Sequence, residues 1–193
     1  MAKRILLLAS GSGTLARAVL EEVSSKRLDL TIVGLISDRP APALDIAEEF
    51  GSSSWLVDYR AFGDRQSWSI ALEEKIDQCA PDLVVSLGFM RILSPTIVKR
   101  FPIINTHPAL LPLFPGAHAV RDALAAGASE TGTTVHWIDE GVDTGEVISQ
   151  ISVGIEPGDT EELLHERIKI QERALIVETL HRYAEGTLAR VNR

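Results

Sequence analysis

Short apolar segments alternate with helical segments along most of the chain, and this alternation limits the fold more than any other feature. Each apolar segment has the length of one strand and lacks regular polar alternation, as expected for a strand buried on both faces. The strands predicted in this way cover residues 5–9, 30–37, 54–57, 83–87 and 103–107. Helices are predicted over residues 15–23, 43–50, 64–79 and 119–126. This order is typical of a doubly wound, mainly parallel sheet.

The last third of the chain departs from this alternation. Two strands, predicted over residues 131–138 and 147–153, follow each other with no helix between them, which predicts an antiparallel addition to the sheet. A long final helix follows, with Asp159 and Thr160 as candidate caps. The chain is therefore predicted to be an α/β protein with a Rossmann-like sheet, forming a single domain over residues 1–193.

Composition bounds the range of functions. The chain has 193 residues, 45% of them hydrophobic, which suits one globular domain with a sizeable core. With 19 Lys and Arg against 27 Asp and Glu, the net charge is −8. A chain this acidic is a poor candidate for nonspecific nucleic-acid binding. These totals do not exclude a local basic pocket for one anionic substrate.

Cysteine, histidine and hydropathy patterns exclude further classes. The single cysteine, Cys79, rules out an intrachain disulfide and a Cys-rich zinc site, and the five His residues lack metal-ligand spacing. No apolar run approaches the roughly 20 residues of a membrane span, and the first apolar run is too short for a signal peptide. We therefore expect a cytoplasmic protein with no metal, no nucleic-acid partner and no membrane partner, as a monomer or a homodimer.

The first predicted strand runs into a glycine-rich turn, Ser10-Gly-Ser-Gly-Thr14, and then into a helix. In this setting backbone N–H groups and a helix N-terminus can hold an anion, and glycine lets the backbone approach closely. The string Gly-Ser-Gly-Thr-Leu-Ala also resembles a dinucleotide fingerprint, for which Asp38 would be the acidic ribose contact. A purely structural turn is the third interpretation.

Asn105 and His107 lie at the end of the fifth predicted strand. Residues two apart in an extended chain point to the same face, so an amide and an imidazole project together. Pro108 has no N–H and disfavours helix at His107, so the strand stops there. Both residues could simply bond to nearby backbone. Their position favours a ligand site, because doubly wound sheets bind ligands at the carboxyl ends of their strands.

Three further residues have both structural and functional interpretations. Arg91 lies among apolar neighbours, where a guanidinium needs a partner, a ligand or access to water. Asp143 lies in a loop rich in acid and glycine, and could bond only its own turn. Glu172 projects from a largely apolar face of the final helix, where it could pair with Lys169 or hold a substrate amine.

Several segments together resemble the folate-dependent phosphoribosylglycinamide formyltransferases of purine synthesis, within the formyl-folate transferase superfamily. The matching segments are residues 10–13, 88–93, 105–112, 115–118, 131–136 and 139–145. They span nearly the whole chain, and the Asn-x-His-Pro segment with the later Asp-x-Gly loop is specific to formyl-folate enzymes. Superfamily members that act on methionyl-tRNA, or that hydrolyse formyltetrahydrofolate, carry an extra domain, for which we expect no room in this chain.

The resemblance implies transfer of the formyl group of 10-formyltetrahydrofolate to the amine of N1-(5-phosphoribosyl)glycinamide, without a metal. The implied catalytic residues are Asn105, His107 and Asp143. The implied substrate contacts are Gly11, Gly13, Thr14, Leu15 and Glu172. The implied folate contacts are Arg65, Met90, Arg91, Ile92, Leu93 and Asn105. The family often has Ser-Asn where this chain has Thr14-Leu15, so backbone donors remain there but an Asn side-chain contact is lost.

The chemistry of formyl transfer suits the three implied catalytic residues. The carboxamide of Asn105 can donate to the oxyanion of a tetrahedral intermediate. His107 can move protons near neutral pH, and a carboxylate at Asp143 would favour its charged form and orient the ring. We also expect the loop around Asp143 to order over the folate.

Three other functions are compatible with parts of the sequence. A nicotinamide-dependent oxidoreductase would use Gly11, Gly13 and Asp38, but it leaves the Asn105–His107 pair without a role. A noncatalytic folate or nucleotide binding module would bind ligands without turnover. Formylation of a sugar amine is the nearest alternative within the superfamily.

Overall fold

The computed structural model describes residues 2–188 as a seven-stranded sheet flanked by helices. The strands are β1 (Lys3–Leu8), β2 (Leu30–Ser37), β3 (Ser54–Leu56), β4 (Leu83–Ser86), β5 (Ile103–His107), β6 (Glu130–Trp137) and β7 (Val147–Gly154). The helices are α1 (Thr14–Ser24), α2 (Pro42–Glu49), α3 (Arg65–Cys79), α4 (Pro95–Arg100), α5 (Ala119–Ala125) and α6 (Glu161–Ala184), and a 3-10 helix covers Tyr59–Ala61.

The strand order is β3-β2-β1-β4-β5-β6-β7. Strands β1 to β5 are parallel, and β6 and β7 pair antiparallel at one edge. The predicted doubly wound sheet with an antiparallel addition and a long final helix is confirmed. The chain winds outward from β1 to β3 and then returns to the other side of β1 with β4. The carboxyl ends of β1 and β4 therefore form the crevice in which such sheets bind ligands.

Two hydrophobic cores lie on the two faces of the sheet, and β1 contributes to both. From Ile5 to Leu8 its side chains are fully buried and alternate in direction, as they must in a strand. Ile5 and Leu7 pack in one core with α1, α2 and α6, whereas Leu6 and Leu8 pack in the other with α3 and α4. This arrangement explains the unbroken apolar run in the sequence. It also places α6 and α3 on opposite sides of the crevice.

Helix caps follow the sequence at several positions. Asp64 accepts a hydrogen bond from the Ser67 N–H at 2.7 Å and caps α3, as predicted. Thr160 caps α6 in the same way. Asp159, the other predicted cap, instead pairs with Arg167 and accepts the Glu156 N–H. Each cap of this kind contributes about 1 kcal/mol.

Helix α4 was not predicted from the sequence. It has only six residues, too few to show an amphipathic period. Its signals are local: Ser94 is the N-cap, Pro95 occupies the first turn, and Lys99 and Arg100 lie in the last turn. No helix within residues 2–188 combines the length and apolar character needed to cross a membrane.

Ala80 ends α3 in a left-handed conformation, with φ 44° and ψ 58°. The Cβ atom makes this conformation unfavourable, and glycine removes the penalty. We expect Ala80→Gly to raise the free energy of unfolding by about 0.5 kcal/mol, because the relief exceeds the entropy that glycine adds to the unfolded chain. Urea denaturation measures the change. Ala125→Gly, at an exposed position in α5, is the matched control and should lower stability.

Candidate active site

A cleft of about 550 Å³ opens at the carboxyl ends of β1, β4 and β5. Its lining includes Asn105, His107 and Asp143 together with the glycine turn after β1 and Glu172 of α6. The predicted folate contacts Met90, Arg91, Ile92 and Leu93 also line it. Arg65 is the one predicted site residue outside the lining. Its guanidinium donates to the Ile92 carbonyl at 2.9 Å from an exposed position next to the lining.

His107 is held at both ring nitrogens. Its Nε2 lies 2.8 Å from the Phe114 carbonyl oxygen. A carbonyl can only accept, so Nε2 carries a hydrogen and Nδ1 faces the other way. Nδ1 lies 3.4 Å from Oδ2 of Asp143. The ring is 4% exposed, so these two contacts fix its orientation in a mostly dry setting.

Asp143 reaches His107 through an uncommon backbone conformation. Its φ is 54°, in the left-handed region that a few non-glycine residues, Asp among them, can adopt. Its Oδ2 also accepts the Gly116 N–H at 2.8 Å. The loop that follows β6 is thus tied to the segment that follows β5. The carboxylate is bonded beyond its own turn, contrary to the purely local alternative.

His136 orients the amide of Asn105. The two residues lie opposite each other in the β5–β6 pairing, and Asn105 Nδ2 is 3.2 Å from His136 Nε2. His136 Nδ1 donates to the Trp137 carbonyl at 2.9 Å, so the neutral ring can accept at Nε2. Burial lowers the pKa of His136 and favours that neutral form, despite the opposing effects of the Trp137 bond and of Asp143. One hydrogen of the Asn105 amide is thereby engaged, which leaves the other for the cleft.

The glycine turn presents the N-terminus of α1 to the cleft. Gly13 is the N-cap of α1 with φ 74° and ψ 14°, and an added Cβ would lie 2.8 Å from the Ala43 Cα. Both the conformation and the space therefore require glycine there. Thr14 and Leu15 begin the helix and line the cleft. Their N–H groups have no earlier helical turn to bond, which suits an anionic group.

Glu172 of α6 is a buried acid in the lining of the cleft. Its side chain is 5% exposed among Ile168, Leu175 and Ile176. Burial raises the pKa of Glu172 to about 7, against the lowering effects of Lys169 and Arg173. Lys169 pairs with Glu166 at 2.7 Å, so the alternative in which Lys169 neutralises Glu172 is not what the structure shows.

The segment Gly88–Leu93, called the donor loop below, forms another wall of the cleft. Gly88 has φ 72°, which turns the chain sharply away from β4. The side chains of Met90 and Ile92 are 62% and 57% exposed. Exposed apolar side chains beside a cleft favour a flat, partly apolar ligand on this side.

The chain matches the sequence model of the formyl transferase family over residues 3–180. It belongs to the formyl transferase family. The phosphoribosylglycinamide formyltransferase of Mycobacterium tuberculosis is 46% identical over 177 residues, which cover 90% of this chain and 81% of the relative. That of Escherichia coli is 35% identical over 187 residues, 95% of this chain and 88% of the relative. The crystal structure of glycinamide ribonucleotide transformylase 1 from Symbiobacterium toebii has a TM-score of 0.94 and 37% identity, covering 100% of this chain and 92% of that chain.

The structure adds residues that sequence reasoning had not placed in the site of this formyl transferase. Glu161, His165 and Lys169 of α6 line the cleft beside Glu172. The spacing of four between these residues puts them on one face of α6, and that spacing was the signal that could have found them. Within residues 2–188, no group of three or more His, Cys, Asp or Glu side chains could hold a metal ion.

Asp38 is buried at the end of β2 and already has partners. It is 1% exposed and pairs with Arg39 at 2.9 Å and with Arg91 at 2.8 Å, while Ser10 donates its hydroxyl to Oδ1. Burial, the largest effect, raises the pKa of Asp38, but the hydrogen bonds from Arg39, Ser10 and Arg91 outweigh it and hold the pKa below its ordinary value. A carboxylate bonded in this way is not free to bind a ribose, which removes the acidic contact of the oxidoreductase alternative.

Glu172 gives a prediction about pH. Its carboxyl group ionises near pH 4.5 in the unfolded chain and near pH 7 in the folded protein, so the folded protein holds one more proton between these values. Stability from this group is therefore lost as pH rises from 4.5 to 7. We expect the unfolding free energy of Glu172→Gln minus that of the parent to increase by about 3 kcal/mol from pH 4.5 to pH 8.

Urea denaturation of both proteins at the two pH values measures this difference. Glu178→Gln is the matched control, because Glu178 lies on the exposed face of the same helix. The control should show no such pH-dependent gain. An equal gain in both variants would contradict the assignment to the buried carboxyl group.

Proposed function

We propose that this formyl transferase moves the formyl group of 10-formyltetrahydrofolate to the free amine of N1-(5-phosphoribosyl)glycinamide in purine synthesis. The observation that carries the proposal is the convergence of Asn105, His107 and Asp143 in one cleft with an anion-binding helix start and a buried acid. The names of the relatives support the same reaction. The proposed setting is the cytoplasm, with these two small molecules as partners and a monomer or homodimer as the working form.

The proposed reaction begins when the amine nitrogen attacks the formyl carbon. A carbon–nitrogen bond forms, and the carbonyl electrons move to oxygen to give a tetrahedral oxyanion. The second N–H of Asn105 would donate to this oxygen, and a hydrogen on Nδ1 of His107, the ring nitrogen not bonded to the Phe114 carbonyl, would be the other donor and would be shared with Asp143. Asp143, whose Oδ2 lies 3.4 Å from Nδ1 of His107, would orient the ring for this role.

Collapse of the oxyanion then breaks the bond between the formyl carbon and N10 of the folate. The attacking amine must lose one proton and N10 must gain one. An imidazole beside a carboxylate suits both transfers near neutral pH. The products are the formylated glycinamide and tetrahydrofolate, so no outside oxidant or reductant is needed.

The two substrates are proposed to bind on different walls of the cleft. The phosphate would lie at Gly11, Gly13, Thr14 and Leu15, where helix α1 begins, and Lys169 on the facing helix adds a cation to the same cleft. Glu172 would accept a hydrogen bond from the glycinamide part. The folate would lie along the donor loop, with Arg65 near its acidic end and Asn105 within reach.

Asn105→Ala tests the proposed oxyanion donor. We expect it to lower kcat by about 10²–10³, the usual cost of losing one such donor, while both ligands still bind. Asp143→Asn should also lower kcat strongly, because the amide removes the negative charge that faces His107 and joins it to the Gly116 N–H. Absorbance of the folate during transfer to the glycinamide ribonucleotide measures the rates, and isothermal calorimetry measures binding.

Asp122→Asn, at a half-exposed position on α5, is the control for Asp143→Asn and should behave like the parent. A parent protein that binds both ligands but transfers no formyl group would overturn the proposed function in favour of a binding module. Turnover with a sugar amine in place of the glycinamide ribonucleotide would instead favour formylation of a sugar amine as the function.

A further inference from the structure

We infer that Asp38 is a positioning residue for the formyl donor: it holds the donor loop in its binding shape from beneath the cleft. This inference rests on the proposed function, since it concerns the wall on which the folate would lie. Asp38 is not part of that wall. It acts through its contacts to Met90 and Arg91, and both of these residues line the cleft.

Two independent links join the Asp38 carboxylate to consecutive residues of the donor loop. Oδ2 accepts from Nε of Arg91 at 2.8 Å. Oδ1 accepts the hydroxyl of Ser10, and the same hydroxyl oxygen accepts the Met90 N–H at 2.9 Å. One buried charge therefore fixes a backbone amide and the neighbouring guanidinium together.

Aromatic contacts close the arrangement on its other side. The Arg91 guanidinium lies 4.0 Å from the ring centroid of Tyr59, whose N–H donates to the Asp38 carbonyl at 2.9 Å. Tyr59 packs edge-on against Trp68 at 5.3 Å, and Trp68 stacks on Phe89 of the donor loop at 6.3 Å. The polar contacts and the aromatic contacts therefore connect Asp38 to the donor loop by two separate routes. Because the shape is formed before the donor binds, ordering the loop does not reduce affinity.

This geometry indicates how Arg91 would contribute to the folate wall that the family resemblance implies. Its Nε is engaged with a fully buried carboxylate, and its plane lies on Tyr59. Its charge balances that of Asp38, and the residue lines the cleft. Arg91 thereby shapes the folate wall, and Arg65 on the exposed side is left as the cation for the acidic end of the donor.

Asp38→Asn tests the inference, because the isosteric amide keeps the volume but loses the charge that holds Arg91. We expect the KM for the formyl donor and the Kd for tetrahydrofolate to rise about tenfold, the effect of losing one charge-assisted hydrogen bond. The KM for the glycinamide ribonucleotide and kcat should stay close to parent values. Initial rates with each substrate varied in turn, and calorimetric titration with tetrahydrofolate, measure these quantities.

Arg39→Gln is the matched control. Arg39 pairs with the same carboxylate but not with the donor loop, so its loss should leave donor affinity unchanged. Ser10→Ala removes the hydroxyl that joins Asp38 to the Met90 N–H and leaves the Arg91 pair in place, so it should raise the Kd for tetrahydrofolate about threefold. It carries the test if Asp38→Asn does not fold.

The outcomes separate the inference from the proposed function. Donor affinity in Asp38→Asn and Ser10→Ala equal to that in Arg39→Gln would overturn the positioning role. A parallel rise in KM for both substrates would also overturn it, because it would show general damage to the fold. A parent that binds tetrahydrofolate but transfers no formyl group would reject the proposed function alone, and the Kd values would still decide the role of Asp38.

Discussion

The imidazole of His107 is clamped between a backbone carbonyl and a carboxylate, and the catalytic side of the cleft depends on this clamp. The carbonyl of Phe114 fixes the hydrogen on Nε2, and Asp143 faces Nδ1. The two partners come from separate segments, and the Gly116 amide joins them by bonding the same carboxylate oxygen. Because both ring nitrogens have a partner, the imidazole cannot rotate. A proton gained or lost at Nδ1 therefore moves on the side of the ring that faces Asp143.

The same cleft divides its electrostatics between two walls. On one side the N-terminus of α1 and Lys169 favour negative charge. Glu172 lies buried in the same lining, where burial raises its pKa to about 7. On the other side the donor loop offers apolar side chains, and its one charged residue, Arg91, pairs with the buried Asp38. This division suits a phosphate-bearing amine and a flat aromatic donor that meet at Asn105.

Much of the fold could be read from the sequence because burial leaves a local signature. Leu30–Ser37 was predicted with its observed bounds, since a strand covered on both faces is apolar throughout. The pair Asn105 and His107 could be placed at a strand end because Pro108 stops the ladder. Helix α4 was missed because six residues contain too little periodicity, although Ser94 and Pro95 marked its start.

Long-range contacts in the site could not be read in this way. Nothing near Asn105 in the sequence indicates that His136 lies opposite it, because strand register is set by packing across the sheet. Likewise, Lys169 is as close in sequence to Glu172 as to Glu166, and only the burial of Glu172 decides the pairing. The partner of Arg91 is 53 positions away, at the end of another strand.

The antiparallel placement of β6 has a consequence for how this chain can change by insertion and deletion. Its side chains alternate between the cleft side and the core beneath α6, with His136 on the first and Val135 on the second. Adding or removing one residue within β6 would exchange these two sides, placing an imidazole in hydrocarbon and an isopropyl group beside Asn105. We therefore expect this chain to tolerate insertions and deletions in the turns that flank β6 rather than within the strand.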